Sequence, residues 1–267
     1  MVLPESAWRS TIMHGNMPEP MNTSLLHQTR CQTCSLSSLC LPLSLSLDDV
    51  EQFDTIVRRR SPLSRGETLY MQGETFENVY AVRSGSLKQT IIEADGEEQI
   101  TSFYLPGELV GLDSIDSATH PGFLTALERT TVCEIPFKRL ETLGEQLPEL
   151  RHQLYRCMSR EIVDDRRLMR LLSSKTADER LASFFRNLAV RFDRCGHSAE
   201  RFRLPMSRSD IGTYLGLAIE TVSRVLGRFQ QQSLLNIQGR NVEILDMQAL
   251  GERAGIIDPC CAQRHRA

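Results

Sequence analysis

The sequence predicts an α+β protein with an N-terminal antiparallel β-roll, a long helix and a C-terminal winged helix-turn-helix domain. Short segments rich in β-branched and aromatic residues recur between glycines from about Leu63 to Ile135, which indicates an antiparallel barrel or roll. A sustained apolar helical repeat follows from Pro148. Ser207 then opens a segment with two short helical patterns around Gly216, the spacing of a helix-turn-helix.

Composition is that of a water-soluble globular chain. The 267 residues are 40% hydrophobic and 24% charged, which suits two compact domains. No apolar run approaches the roughly 18–20 residues that cross a bilayer, and the N-terminus has no basic start followed by an apolar stretch. We therefore expect a cytoplasmic protein with no membrane partner, whose thiols are kept reduced.

The strands of the roll are predicted from local composition. Residues with high β propensity form five segments: Thr68–Tyr70, Val79–Val82, Leu87–Ile92, Gln99–Tyr104 and Thr131–Pro136. Glycines separate these segments at short intervals, as expected for strands joined by tight turns.

The long helix is predicted to begin at Pro148, because the missing N–H of proline costs nothing in a first helical turn. Its apolar seam recurs at spacings of three and four residues: Leu150, Leu154, Met158, Ile162, Asp165, Met169 and Leu172. Such a seam is typical of helices that pair in a coiled coil. Asp165 is its one charged position.

A second domain is predicted to begin near Ser173–Thr176. Thr176 and Glu179 have the spacing of a capping box. The chain from Ser173 onward contains 14 Lys and Arg against 10 Asp and Glu, while the preceding residues are net acidic. A basic C-terminal part is suited to an acidic polymer such as nucleic acid.

The segment from Arg208 to Gly227 fits a helix-turn-helix. Gly212 is small where two helices cross, and Gly216 permits the positive φ of the turn. Apolar residues stand where the two helices pack: Ile211, Leu215, Leu217, Val222 and Val225. Two apolar segments, residues 234–238 and 242–245, flank Gly239-Arg240-Asn241 and predict a hairpin wing.

The second helix of this motif is predicted from Ile219 to about Gln231. Its outer N-terminal face presents Glu220, Ser223 and Arg224. Recognition helices contact base edges with such N-terminal residues. Arg can bond O6 and N7 of guanine, and Glu can accept from the amino group of cytosine. We therefore predict that these three residues contact bases.

Eight cysteines are present, and their spacing is informative. Cys31, Cys34 and Cys40 fall within ten residues, and Cys133 lies in a predicted strand. In a cytosolic chain this pattern indicates metal or redox chemistry. Zinc, an iron–sulfur cluster and a redox dithiol all remain open from spacing alone. The other four are interpreted as unliganded: Cys157 and Cys195 as core residues, Cys260 and Cys261 as incidental thiols of a polar tail.

These motifs together resemble the FNR family, the fumarate-and-nitrate-reduction regulators of the cyclic-AMP receptor protein (CRP) superfamily, and within it the FNR and ANR anaerobic regulators. The resemblance covers about Cys31 to Gly255. Besides the cysteine spacing, it rests on five short motifs: Ala126–Glu128, Val132–Phe137, Ala177–Arg180, Tyr214–Leu217 and Glu220–Arg224.

The resemblance implies an oxygen-responsive transcription activator without enzymatic activity. It implies an oxygen-labile [4Fe–4S] cluster on Cys31, Cys34, Cys40 and Cys133. A homodimer is expected to form without oxygen, to bind an inverted repeat of the TTGAT-N4-ATCAA type and to control genes of anaerobic metabolism. RNA polymerase is an expected partner.

Residue roles and domains follow from the same resemblance. Glu220, Ser223 and Arg224 are expected to read the operator, and Asp165, beside Ile162 on the seam, to restrain dimerisation. The expected parts are a flexible extension (1–30), a cluster-binding β-roll sensor domain of the cyclic-nucleotide-binding type (31–147), a dimerisation helix (148–173), a winged helix-turn-helix DNA-binding domain (174–255) and a polar tail (256–267).

Two other functions compete with this one. A cyclic-nucleotide-responsive regulator on the same scaffold needs a cation for the phosphate, yet no Arg lies between Arg83 and Arg129. We therefore expect no cyclic nucleotide. A thiol–disulfide enzyme needs its CxxC at a helix start near a βαβ unit, and no such pattern surrounds Cys31. A zinc-stabilised regulator is the remaining alternative.

Overall fold

The structure, a computed structural model, describes residues 30–36, 39–41, 45–94 and 96–255. The predicted extension (1–30, except Arg30) and the predicted tail (256–267), with Cys260 and Cys261, lie outside them. None of the helices within the described ranges combines the length and hydropathy that a membrane crossing requires.

The N-terminal β-roll consists of two four-stranded antiparallel sheets. Its strands are β1 Arg58–Arg59, β2 Thr68–Tyr70, β3 Asn78–Ser84, β4 Leu87–Ile92, β5 Glu98–Tyr104, β6 Leu109–Val110, β7 Phe123–Ala126 and β8 Thr131–Pro136. The sheet orders are β1-β8-β3-β6 and β2-β7-β4-β5. Both sheets bury residues such as Val82, Leu87 and Leu124 in one shared core. The predicted roll and its five predicted strands are therefore confirmed; β1, β6 and β7 are additional.

Three helices surround the first sheet: α1 Leu47–Ile56, α2 Phe137–Gln146 and α3 Pro148–Ser174. Ser46 caps α1 by accepting from the Asp49 N–H, and Pro148 occupies the first turn of α3 as predicted. Phe53 of α1, Leu140 of α2 and Leu150 of α3 are buried in a second core beneath this sheet. The start of the long helix is thus anchored to the roll of its own chain.

The C-terminal domain is a small helical unit with a three-stranded sheet. Its elements are α4 Ala177–Arg194, β9 Arg201–Arg203, α5 Arg208–Leu215, α6 Ile219–Gln231, β10 Leu235–Gln238, β11 Asn241–Ile244 and α7 Met247–Arg253. Complete capping boxes start α4 at Thr176 and α5 at Ser207, so both helix starts have the bonds that the sequence predicts.

The wing differs from its prediction in detail. Only Gly239 and Arg240 form the turn, because Asn241 already pairs with Gln238 in the hairpin. Gly239 has φ 62°, which suits a two-residue hairpin turn. The unpredicted strand β9 pairs with β11 and completes the sheet.

The C-terminal domain contacts the β-roll of the same chain. Lys88 of β4 donates to Asp210 of α5 at 2.8 Å, and both side chains are largely buried. Arg191 of α4 forms an ion pair with Glu108 at 2.6 Å. Strand β5 and helix α5 pack together between these two pairs. The helix-turn-helix is therefore supported by both domains.

Candidate functional site

The three N-terminal cysteines lie in a short loop that packs on the roll. Cys31 starts a single 3₁₀ turn, and its N–H donates to Asp54 Oδ1 at 2.9 Å. Asp54 also forms an ion pair with Arg59 of β1. At the other end of the loop Leu41 is completely buried in the second core. The loop is thus held at both ends.

Cys133 lies in the middle of β8, in register with Arg59 of β1 and Ala81 of β3. The fold brings its thiol close to the loop, since Cys31 and Cys34 both interact electrostatically with Cys133. Cys40 interacts with Cys34 and Cys133 as well. The four predicted ligands are therefore neighbours in space, although 92 residues separate Cys40 from Cys133 in the sequence.

Burial makes ionisation of these thiols unfavourable. Desolvation raises the pKa of Cys31, and hydrogen bonding and charge repulsion from Asp54 add to it. Desolvation raises the pKa of Cys40 to about 12, and the pKa of Cys133 is raised for the same reason. Without a cationic partner these groups stay protonated, because a buried thiolate is costly.

No three His, Cys, Asp or Glu side chains within the described ranges converge as a single-ion metal site. A fifth thiol, Cys157 of α3, is close enough to Cys40 to affect its titration. Cys195 is elsewhere, and its Sγ donates to the Pro106 carbonyl at 3.0 Å. That bond agrees with the interpretation of Cys195 as an unliganded core residue.

The seam of α3 divides into two halves. Leu150 is 1% exposed, and Leu154 and Met158 also pack on the second core together with the cysteines. Beyond them the seam is uncovered, with Ile162 50% and Met169 69% exposed. Only the second half of the seam is therefore free to pair with another helix, whereas the sequence pattern suggested its whole length.

Asp165 lies in the uncovered half, as the predicted seam requires. Desolvation raises its pKa, and repulsion from Asp164 and Asp113 adds to that effect. One turn earlier, desolvation and the same Asp113 raise the pKa of Glu161 to about 7. Glu161 Oε1 lies 3.4 Å from the Tyr104 hydroxyl, which donates to Gln89 Oε1 inside the roll. Asp165 thus places a carboxylate where a symmetric partner would approach, whereas Glu161 faces the roll of its own chain.

The helix-turn-helix has the backbone that the glycines predict. Gly216 ends α5 in the left-handed region at φ 61° and ψ 43°. A Cβ on Gly212 would come within 2.6 Å of the Leu217 carbonyl, so the turn after α5 passes too close to that helix for any larger residue. Val222 and Val225 of α6 are buried against α5 and the domain core.

The face of α6 away from the core presents the predicted base-contacting residues. Glu220 and Arg224 are exposed, and Ser223 is half-buried between them. Arg224 Nη2 is 3.2 Å from Thr221 Oγ1, which leaves most of its donors free for another partner. The structure thus brings the three residues together on one open surface.

Two further residues near these sites escaped the sequence analysis. Arg208 begins α5, and its Nη1 lies 3.5 Å from Ser223 Oγ, beside the same face. Its position directly after the Ser207 cap was the available signal. Asp54 braces Cys31 from α1, a helix that we did not predict although Ser46 and the acidic residues after it have the pattern of a helix start.

Comparisons with known proteins agree with this organisation. A cyclic nucleotide-binding domain family matches residues 60–146, the range of the β-roll. A Crp-like helix-turn-helix domain family matches residues 179–253. The solved structure of FixK2 from Bradyrhizobium japonicum is 31% identical, covers 76% of this chain and 100% of its own, and superimposes with a TM-score of 0.68. The predicted α+β fold is confirmed.

Curated relatives match most of the chain. The transcriptional activator protein Anr of Pseudomonas protegens is 56% identical over 90% of this chain and 98% of its own length. The fumarate and nitrate reduction regulatory protein of Escherichia coli is 48% identical over 84% and 90%. These relatives are regulators of transcription and not enzymes. The chain belongs to the Anr and FNR family of DNA-binding transcriptional regulators within the CRP/FNR superfamily.

Proposed function

We propose that this regulator senses oxygen through a [4Fe–4S] cluster on Cys31, Cys34, Cys40 and Cys133. The observation that supports this most is the shared core: the cysteines pack on the same apolar cluster as the first half of α3. Cluster loading then favours pairing of α3 with its symmetry mate. The dimer binds an inverted repeat of the TTGAT-N4-ATCAA type and, with RNA polymerase, controls genes of anaerobic metabolism.

The donor set fits such a cofactor. Four thiols are close together, and burial raises the pKa of Cys31, Cys40 and Cys133, so the site needs cations before these residues can act as thiolate ligands. Iron in a cluster supplies that charge together with a centre that oxygen alters. The four cysteines would bind the cluster, and the contacts at Asp54 and Leu41 hold the loop in the position that this binding requires.

Four thiolates can hold either an iron–sulfur cluster or a zinc ion, so the donor set alone does not separate the two. The cluster is preferred because the chain belongs to the Anr and FNR family, for which the resemblance implies a [4Fe–4S] cluster.

The proposed link to dimerisation runs through the second core. Leu154 and Met158 of α3 pack there beside Cys31 and Cys133, so a change in the cysteine loop alters the support of the helix. One turn later the seam is exposed at Ile162. The order in the first half of the α3 seam therefore determines how well the second half can pack against the α3 helix of a second copy.

Asp165 serves as the brake on pairing. Two copies related by a two-fold axis would bring their Asp165 carboxylates together, and like charges repel in a partly buried setting. A complete shift from 1:99 to 99:1 takes about 5.5 kcal/mol, which a few such charges and contacts can supply. The dimer is thus marginal by itself, and contacts that depend on the cluster decide whether it forms.

DNA recognition is assigned to the open face of α6. Arg224 would read a G·C pair, Glu220 a cytosine and Ser223 an adjacent base edge. Arg208, next to Ser223, has the charge and position to contact a phosphate. Two-fold symmetry then requires an inverted repeat, and in the TTGAT-N4-ATCAA type the half-site centres lie about nine base pairs apart, close to one turn of the double helix.

A cyclic nucleotide suits this roll poorly, despite the match of its domain family. Gln89 and Tyr104 face the interior and bond to each other at 2.8 Å, and Gln89 also donates to Asp113 at 2.6 Å. Glu161 closes the same region from α3. A cyclic phosphate would meet carboxylates where it needs a cation, so we propose that this domain responds to the cysteine site instead.

The test is anaerobic purification followed by iron, sulfide and absorbance analysis, with operator binding measured before and after air. We expect four irons and four sulfides per chain by the cluster stoichiometry, broad visible absorption, and operator binding that air removes. Zinc without visible absorption would establish the zinc-stabilised alternative. Operator binding that depends on an added cyclic nucleotide would establish the cyclic-nucleotide-responsive alternative.

A further inference from the structure

Arg180, in the first turn of α4, connects three separate segments of the chain. Its Nη2 donates to the Leu172 carbonyl at 2.8 Å, its Nη1 to the Leu215 carbonyl at 2.9 Å, and its Nε to the Lys175 carbonyl at 3.0 Å. All three nitrogens of one planar guanidinium are therefore used. Because that group is rigid, it fixes the relative positions of all three acceptors.

Two of these acceptors are helix ends. Leu172 lies in the last turn of α3, and Leu215 is the last residue of α5. Carbonyls at such positions have no partner within their own helix, and a cation there also interacts favourably with the helix dipole. One side chain thus joins the end of the long helix to the end of the first helix of the helix-turn-helix.

The third acceptor and the turn complete the joint. Lys175 lies in the linker between α3 and α4, so its carbonyl ties that linker to the same guanidinium. A Cβ on Gly216 would lie 3.5 Å from Arg180 Nη1, so the turn before α6 packs directly on the guanidinium. The linker has little other freedom, because the Thr176 capping box already fixes the start of α4.

We infer that Arg180 is a positioning residue that sets the angle between the dimerisation helix and the DNA-reading helix, and hence the half-site spacing that the dimer accepts. This inference rests on the proposed function, in which α3 pairs and α6 reads an inverted repeat. In such a dimer, the way each C-terminal domain is joined to α3 sets the distance between the two α6 helices. A rigid joint matches one spacing of the major groove, and a loose joint tolerates several.

The test compares Arg180→Lys with the wild type, both anaerobic and loaded, on three operators. These have the native spacer and spacers one base pair shorter and longer. Lysine keeps the charge, but its three donors radiate from one atom, so they cannot match carbonyls that bond to three separate nitrogens of a planar guanidinium. We expect the preference for the native spacer to fall by about tenfold or more, a loss of roughly 1.4 kcal/mol of discrimination. Base preference within each half-site should not change.

Arg194→Lys, on the exposed end of the same helix, is the matched control and should keep the full spacing preference. Sedimentation should show equal dimer content in all three proteins. If Arg180→Lys fails to fold, Arg180→Gln replaces it in the same comparison. Equal weakening on all three operators, or an unchanged spacing preference, overturns the positioning role. A wild type without any spacing preference would instead refute the proposed dimer on an inverted repeat.

Discussion

The winged helix-turn-helix and the cysteine loop are stabilised in different ways. The former has two capping boxes, an αL glycine in its turn and a continuous core that includes Phe185, Leu215 and Phe229. The cysteine loop has one 3₁₀ turn, one contact at each end, to Asp54 and through Leu41, and several thiols whose pKa burial raises. The reading domain is thus complete within one chain, while in the proposed function the cysteine loop is completed by a cofactor.

The long helix α3, which lies between these two regions, has one half that its own chain covers and one half that it leaves exposed. Its first half is buried on its own roll, and its second half exposes Ile162 and Met169. The difference indicates where regulation acts in the proposed function: the reading surface is formed within one chain, so control operates on the cysteine loop and on the pairing of α3. Variants that change one of these regions and leave the other intact separate their roles.

The largest effect is expected at the cysteines. Cys133→Ser should lose the whole complement of iron and sulfide, since it removes the only proposed ligand from β8, and should lose anaerobic operator binding with it. The thermal unfolding of the C-terminal domain should not change. Cys195→Ser is the control, because that thiol bonds to Pro106. A full, stable cluster in Cys133→Ser would show that the fourth ligand is wrongly assigned.

Asp165→Ala should produce dimers and operator binding in air, with the cluster lost. Removing the repelling carboxylates should raise the dimer population at least tenfold, about 1.4 kcal/mol. Sedimentation and operator binding of the aerobic variant measure this. Asp164→Ala is the control, because Asp164 pairs with Arg167 instead of lying on the seam. A monomeric Asp165→Ala in air, beside a reduced wild type that dimerises, would move the switch elsewhere on α3.

Arg224→Ala should cost about 1–3 kcal/mol of operator binding and relax the preference at one G·C pair. Cluster content and dimerisation should stay as in the wild type. Arg228→Ala, on the same helix but paired with Asp178, should leave base preference unchanged. Equal losses on operator and unrelated DNA would make Arg224 a phosphate contact and not a base contact.

Glu161→Gln tests the acidic part of α3 through pH. The pKa of Glu161 is raised to about 7 from 4.5, so between these values the folded chain keeps a proton that the unfolded chain has lost. The free energy of unfolding therefore falls as pH rises through 7. Glu161→Gln should increase the free energy of unfolding by about 1–3 kcal/mol at pH 8 and leave it unchanged at pH 4.

Thermal unfolding of Glu161→Gln at the two pH values provides the measurement, and the exposed Glu145→Gln serves as control. The unfolding of the roll and α3 should shift in temperature, and the unfolding of the C-terminal domain should not. The same gain at both pH values would mean that Glu161 is not protonated in the folded chain.

Local patterns account for what the sequence predicted well. The bounds of α6, β2, β4 and β8 match because periodicity, caps and glycines act within a few residues. Helix α1 was not predicted, although the sequence contains its Ser46 cap and the acidic residues of its first turn. The seam of α3 was right as an apolar face, but periodicity cannot say that the same chain covers its first half.

Long-range arrangements were the least predictable part. Spacing left zinc, a cluster and a dithiol open for the cysteines, and only the family resemblance connected Cys133 with the loop. The three bonds of Arg180 join residues up to 35 positions apart, and no short window of sequence contains them. The pair between Lys88 and Asp210 spans 122 positions, so the contact between the two domains was equally hidden.

The central claim is that the cluster controls dimerisation, and one sedimentation experiment tests it directly. Anaerobic, fully loaded protein receives measured, substoichiometric amounts of oxygen, and cluster absorbance and dimer fraction are recorded in the same cell. The account predicts that the dimer fraction falls in step with the absorbance. A dimer that persists after the absorbance is lost, or a loaded protein that is monomeric from the start, would contradict it.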